Sequence, residues 1–274
     1  MPDAATLPEG RSRFIEGAAG RIHVRDFGGS GPVILALHGV TGCSHLWDGV
    51  AGALSGSARL IAMDFRGHGQ SDWSAERLYS TDAYTEDLES VLDALALPAP
   101  PVLMGSSWGA LGMIRLAAGR AGAAAGLIVV DVEPSFEASA KDVFPRPYRF
   151  GDFDAVLAWE RKANPAAPDA ALAAFAAGSV VETVEGSFYR RYDPFFLTNW
   201  PFRDDDLWEE VAAVTGPALV INGDRTFVRR EVCEKMARTF SDGAFAPVSN
   251  SGHLIPLEQP ETLANLATEF IKNA

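Results

Sequence analysis

A chain of 274 residues, 47% hydrophobic and 22% charged, suits one decorated domain or two small ones, and its composition is that of a globular protein rather than a disordered or fibrous one. Its 23 Lys and Arg against 36 Asp and Glu give a formal net charge of −13, which repels phosphate backbones and anionic lipid and argues against nucleic-acid or membrane-surface partners. The N-terminal sequence lacks an apolar signal core, no stretch approaches the length of a membrane span, and Cys43 and Cys233 make neither a disulfide framework nor a metal-type spacing, so the expectation is a soluble cytoplasmic monomer or homodimer with small-molecule partners.

In chain order, short β-branched or apolar runs at 22–24, 33–37, 60–63, 102–104, 127–130, 218–221 and 244–248 read as strands. Most are continuous rather than alternating, as expected where helices cover both faces of a sheet. Helical patterns lie between them at 81–96, 110–118 and 258–271, the first with Leu88, Val91, Leu92 and Leu95 on one face. This alternation predicts an α/β domain built on a mainly parallel sheet. The rhythm breaks once, from about 134 to 203, where aromatics, prolines and Ala-rich helical stretches such as 169–177 take over, and it resumes with a helix at 207–214. A structureless loop of that length is foreign to compact domains, so an inserted helical subdomain is expected at 134–203, dividing a core of 1–133 and 204–274.

The strand at 102–104 runs into Gly105-Ser106-Ser107-Trp108-Gly109 and then into helix. A G-x-S-x-G at a strand-to-helix turn strains the central backbone and lifts the serine hydroxyl above the sheet, while the glycines let neighbouring chain approach. Ser107 is therefore the candidate nucleophile; without the flanking strand and helix the same pattern would be an ordinary turn.

In this setting the chain resembles the α/β-hydrolase fold enzymes over nearly its whole length outside the insertion. The resemblance rests on His38-Gly39-Val40-Thr41-Gly42 with Trp47, on Asp64-Phe65-Arg66-Gly67-His68-Gly69-Gln70-Ser71, on Gly105–Gly109, and on Ser251-Gly252-His253-Leu254, each following a predicted strand. It implies an eight-stranded, mainly parallel sheet flanked by helices, with the insertion as a helical cap, and no cofactor. It also implies an oxyanion hole made by the backbone N–H groups of Val40 and Trp108, with both residues against the substrate. Donors fixed by a turn and a helix N-terminus need no reorganisation when a carbonyl oxygen becomes an oxyanion. His253 matches the histidine that takes the serine proton and returns it to the leaving group. His23, His38, His45 and His68 read as structural, and no H-x-H or H-E-x-x-H spacing points to a metal.

The acid that orients His253 departs from the family's usual pattern. Its common position, three residues after the glycine ending the strand at 218–221, holds Thr226, which cannot stabilise an imidazolium. Asp131, 24 residues beyond Ser107 at the end of the strand at 127–130, is preferred, because some members, including a group of haloalkane dehalogenases, place their acid there. Asp224 is the alternative and Glu133 a minor contender.

The insertion carries Phe136, Phe144, Tyr148, Phe150, Phe153, Trp159, Phe175, Phe188, Tyr189, Tyr192, Phe195, Phe196 and Trp200. Most are expected in its own core, with a few facing the nucleophile in an apolar pocket beside a bulky Trp108. Arg190 and Arg191 are read either as binders of a substrate carboxylate or as solvated surface. A serine nucleophile excludes the aspartate chemistry of haloalkane dehalogenases and epoxide hydrolases. The substrate expected is a carboxylic ester or lactone, with C–C bond hydrolysis and a non-hydrolytic lyase or ligand-binding role as alternatives.

Overall fold

The computed structural model describes residues 7–54, 56–136 and 146–273. Its strands are β1 (Arg11–Gly17), β2 (Gly20–Asp26), β3 (Val33–Leu37), β4 (Arg59–Met63), β5 (Val102–Ser106), β6 (Gly126–Val130), β7 (Arg149–Phe150), β8 (Val180–Glu182), β9 (Phe188–Arg190), β10 (Pro217–Gly223) and β11 (Asp242–Val248). The helices are α1 (Asp48–Ala53), α2 (Thr81–Leu95), α3 (Trp108–Gly119), α4 (Phe153–Ala163), α5 (Asp169–Gly178), α6 (Trp208–Ala213), α7 (Arg230–Thr239), α8 (Ile255–Glu258) and α9 (Pro260–Asn273).

An eight-stranded sheet runs β1-β2-β4-β3-β5-β6-β10-β11. The two pairings that involve β2 are antiparallel, and every pairing from β4 to β11 is parallel. Strands β5 and β6 are buried along their whole length, which is why their residues form unbroken apolar runs. Successive side chains enter opposite cores: Leu35, Leu37, Leu103 and Val129 pack on one face with α2 and α3, and Ile34, Ala36, Met104 and Ile128 on the other with α1 and α9. Each large side chain so buried contributes about 1.5–3 kcal/mol. The register sets Leu37 beside Gly105, and Ser106 and Ile221 beside Val130, so the loops after β3, β5, β6 and β10 converge at the carboxyl edge of the sheet, where open α/β sheets hold their ligands.

The structure adds elements that the hydrophobic runs do not reveal. Strand β1 is a mostly exposed edge strand with solvated Arg11, Ser12 and Arg13, so it carries no apolar run. The inserted segment is not helical alone: β7, β9 and β8 form a small antiparallel sheet beside α4 and α5, with strands too short to show a period of two. The helix expected at 258–271 is instead α8 and α9, divided at Pro260, a residue favoured at a first helical position and unable to donate to a preceding turn.

Phe150, Val156, Ala176 and Val180 give the inserted segment its own core. Its C-terminal part is tied to the loop after β4: Tyr79 donates to Asp193 Oδ2 at 2.7 Å, the Gly69 amide donates to the Arg191 carbonyl at 2.8 Å, and His68 and Tyr192 form an isolated bridge. Arg190 is neither solvated nor open to a substrate, because its buried guanidinium is 2.5 Å from Glu160 Oε1 and 3.1 Å from Ser179 Oγ. Arg191 donates to the Val180 carbonyl at 3.3 Å.

Candidate active site

Ser107 stands between β5 and α3 with φ 53° and ψ −126°, a backbone that few residues with a side chain adopt. Its N–H donates to the Val130 carbonyl at 2.9 Å, which holds the turn against the sheet. Both glycines of the motif are required by close approach. A Cβ on Gly105 would lie 2.5 Å from the Ala110 nitrogen, and one on Gly109 2.5 Å from the Leu37 carbonyl oxygen. Since backbone cannot yield as a side-chain tip can, Gly109→Ala is expected to destabilise the fold by about 3 kcal/mol, read as a lowered urea midpoint at unchanged m-value. The loop after β3 passes over the serine, since a Cβ on Gly39 would meet Ser107 Oγ at 3.3 Å.

His253 arrives on the loop between β11 and α8, and its Nδ1 lies 2.7 Å from Asp131 Oδ2. Asp131 follows β6 at φ 53° and is fully buried. Its Oδ1 accepts from Asn222 Nδ2 and from the Gly223 amide, both at 3.0 Å, and its Oδ2 also accepts from Thr226 Oγ1 at 2.6 Å. Thr226, at the family's more common acid position, thus serves as a donor to Asp131. Asp224 is exposed and accepts from the Ser251 amide at 3.0 Å; backbone N–H groups of Asn250 and Ser251 hold its carboxyl below the usual range. Glu133 receives the Arg229 amide at 2.9 Å and the Arg229 guanidinium at 2.7 Å. Of the acids considered, Asp131 is the one brought to the imidazole.

The loop carrying Val40 is braced from beneath by neutral histidines. His38 places Nδ1 2.7 Å from the Gly39 carbonyl and accepts the Phe65 amide at Nε2, and His68 accepts the Thr41 amide at 3.0 Å. Burial pushes both imidazoles below their ordinary pKa, which keeps a lone pair on each for those amides. Asp64 anchors the same region through the Ser44 and Gln70 amides and His23. Burial alone would raise its carboxyl, but the hydrogen bonds from His23 and Gln70 hold it well below the usual range. The stabilisation is therefore complete above the ordinary carboxylate pKa of about 4 and is lost as the pH falls through it toward the lower folded value. Asp64→Asn is expected to lose less of its urea midpoint than the parent chain between about pH 7 and about pH 3.

Trp108 departs from expectation at its side chain. The indole is fully buried, donates to Thr81 Oγ1 at 2.8 Å and packs 4.1 Å from the Tyr84 ring and 4.9 Å from the Phe202 ring, because helical geometry turns the residue after Ser107 into the core. Among the described residues it does not line the cavity, so only its backbone amide is left to face a substrate.

Ser107, Asp131 and His253 open onto one cavity of about 60 Å³, walled by Val40, Thr41, Phe136, Phe175, Trp200, Phe202 and Phe227, with Glu133, Arg146 and Arg203 also in its lining. Phe144 lies outside the described residues. Residues 34–266 match the Alpha/beta hydrolase family. The chain belongs to that family. It is 31% identical over 271 residues to the esterase Rv0045c of Mycobacterium tuberculosis, across 90% of this chain and 85% of the relative. It is 28% identical over 251 residues to the 2-(acetamidomethylene)succinate hydrolase of Mesorhizobium japonicum, across 89% of each chain. A solved E-2-(acetamidomethylene)succinate hydrolase superposes with a TM-score of 0.84 at 26% identity, covering 96% of this chain and 99% of the other.

In this α/β hydrolase, no helix among the described residues is long and apolar enough to cross a membrane, and no cluster of His, Cys, Asp or Glu among them could hold a metal ion. Cys43 and Cys233 are buried free thiols that burial pushes above their ordinary pKa, which leaves them inert at neutral pH. Among the cavity residues that sequence reasoning did not find are Arg146, Phe202, Arg203 and Phe227. None sits in a motif, and only the fold brings them to the serine.

Proposed function

We propose that this α/β hydrolase is a serine hydrolase that cleaves carboxylic esters or lactones through an acyl-enzyme on Ser107. The observation that carries the reading is the 2.7 Å contact between His253 Nδ1 and buried Asp131 Oδ2 on the cavity that also holds Ser107. Asp131 holds the proton on Nδ1 and leaves Nε2 free to accept the Ser107 hydroxyl proton as Oγ attacks the acyl carbon. The amides of Val40 and Trp108 receive the oxyanion, each worth about 3–4 kcal/mol in the transition state. His253 then gives its proton to the leaving alcohol, activates a water, and the water releases the acid. Residues 134–203 act as a cap whose Phe136, Phe175, Trp200 and Phe202 exclude water from this step. The modest cavity favours a short acyl group, and the esterase among the relatives supports the ester bond.

A second reading, hydrolysis of an acyl bond that is not an ester, is favoured by the relative named for 2-(acetamidomethylene)succinate. Turnover across p-nitrophenyl esters of graded length, several lactones and matched amides separates the two. Intact-protein mass spectrometry after treatment with a fluorophosphonate is expected to give one adduct, mapping to Ser107. Folded protein that takes up no adduct would overturn the serine-hydrolase reading in both forms.

A further inference from the structure

Arg203 lies in the 3-10 turn Pro201–Asp204 and is 7% exposed, yet it lines the same cavity as Ser107. Its guanidinium sits 4.7 Å over the Phe136 ring, 5.3 Å over Trp200 and 5.4 Å over Phe202. Its Nε has no hydrogen-bond partner, and among the described residues no carboxylate forms an ion pair with it. Ring faces attract a cation but do not replace an anion or supply acceptors for its N–H groups. Burial pushes this guanidinium down from its ordinary pKa, opposed by the charge of Glu133.

The acids in the cavity wall are already engaged. Both Glu133 oxygens receive Arg229, and both Asp131 oxygens are hydrogen-bonded, to Asn222, Gly223, Thr226 and His253. Arg146, half-buried in the same lining, adds a second cation; Glu160, whose charge acts on it, is bound to Arg190. A buried cation without a partner is costly to retain and is therefore a candidate for a ligand's anion.

We propose that Arg203, with Arg146 a second cation in the lining of the same cavity, forms an anion-binding end of the substrate pocket, and that the substrate carries a carboxylate within a few bonds of the scissile acyl group. This deepens, and rests on, the serine-hydrolase reading. The planar guanidinium fork suits a carboxylate, and the small cavity sets the short separation. The net charge of −13 opposes such a substrate at a distance, but that field is screened by salt within about 8 Å at physiological ionic strength, whereas a desolvated pair is screened far less.

The test compares kcat/KM for mono-p-nitrophenyl succinate with that for p-nitrophenyl butyrate, and for 4-acetoxybenzoate with that for phenyl acetate, at constant ionic strength. The first pair carries the charge on the acyl side and the second on the leaving-group side. In at least one pair the ratio of charged to neutral ester is expected to fall roughly ten- to hundredfold in Arg203→Met and to recover in part in Arg203→Lys. Succinate, unlike succinamide, is expected to inhibit the parent enzyme competitively and to raise its Tm, and to lose both effects in Arg203→Met. Unchanged ratios in both pairs overturn the proposal. Should Arg203→Met fail to fold, Arg146→Met and succinate inhibition of the parent chain decide: inhibition no stronger than that by succinamide overturns it. Fluorophosphonate labelling of Ser107 keeps the readings apart, since labelling with unchanged ratios removes only the anion site, whereas absent labelling with succinate-raised Tm removes only the hydrolysis.

Discussion

Ser107→Ala is expected to lower kcat for a reactive ester by about a millionfold and to abolish fluorophosphonate labelling, while leaving the fold intact. The magnitude is that seen when the nucleophile of a serine–histidine unit is deleted, because the residual rate then comes from binding and oxyanion contacts alone. Alanine keeps the Cβ that already tolerates φ 53° at this turn, and the backbone bond from residue 107 to the Val130 carbonyl remains available. Tm is therefore expected to stay within about 2 °C of the parent chain, in keeping with a change below roughly 0.5 kcal/mol. Substantial turnover by a correctly folded Ser107→Ala would place the chemistry on another group.

Asp131→Asn is expected to lower kcat by about four orders of magnitude, whereas Asp224→Asn leaves it within about twofold. An amide at residue 131 can offer an N–H where His253 Nδ1 now finds a carboxylate oxygen at 2.7 Å. That turns the imidazole to the tautomer with its proton on Nε2, which cannot accept from Ser107. Asp224 has a different task, since its Oδ1 accepts the Ser251 amide, and asparagine keeps that acceptor. Steady-state kinetics on one ester decides between them; a crippled Asp224→Asn beside an active Asp131→Asn reverses the assignment.

How much could be read in the chain follows from where each signal lies. Strands covered on both faces, such as β5 and β6, appear as unbroken apolar runs, and the turn around Ser107 appears as glycines because chain passes within 2.5 Å of where a Cβ would sit. Strand β1 stayed hidden because its edge position lets it be charged, and β7 to β9 because strands of two or three residues show no period. Asp131 could be proposed from its place after β6, but only the fold could set it apart from Asp224, since both end strands near His253. The Trp108 side chain turns into the core rather than the pocket, because adjacency to Ser107 in sequence says nothing of which way a helix turns the next residue. Arg203 had no local signal at all, as its neighbours Phe136 and Trp200 reach it through tertiary packing.

The ties from Tyr79 to Asp193, from Gly69 to Arg191 and between His68 and Tyr192 limit how freely this chain can exchange parts with its relatives. His68 also receives the Thr41 amide, so the histidine that borders the inserted segment also helps to shape the loop over Ser107. A chimaera that imports a foreign segment at 134–203 would remove Tyr192 and Asp193 from under that loop and disturb the chemistry along with the selectivity. Specificity in this scaffold is better recombined by keeping residues 191–193 native and varying the wall formed by Phe136, Phe175 and Trp200.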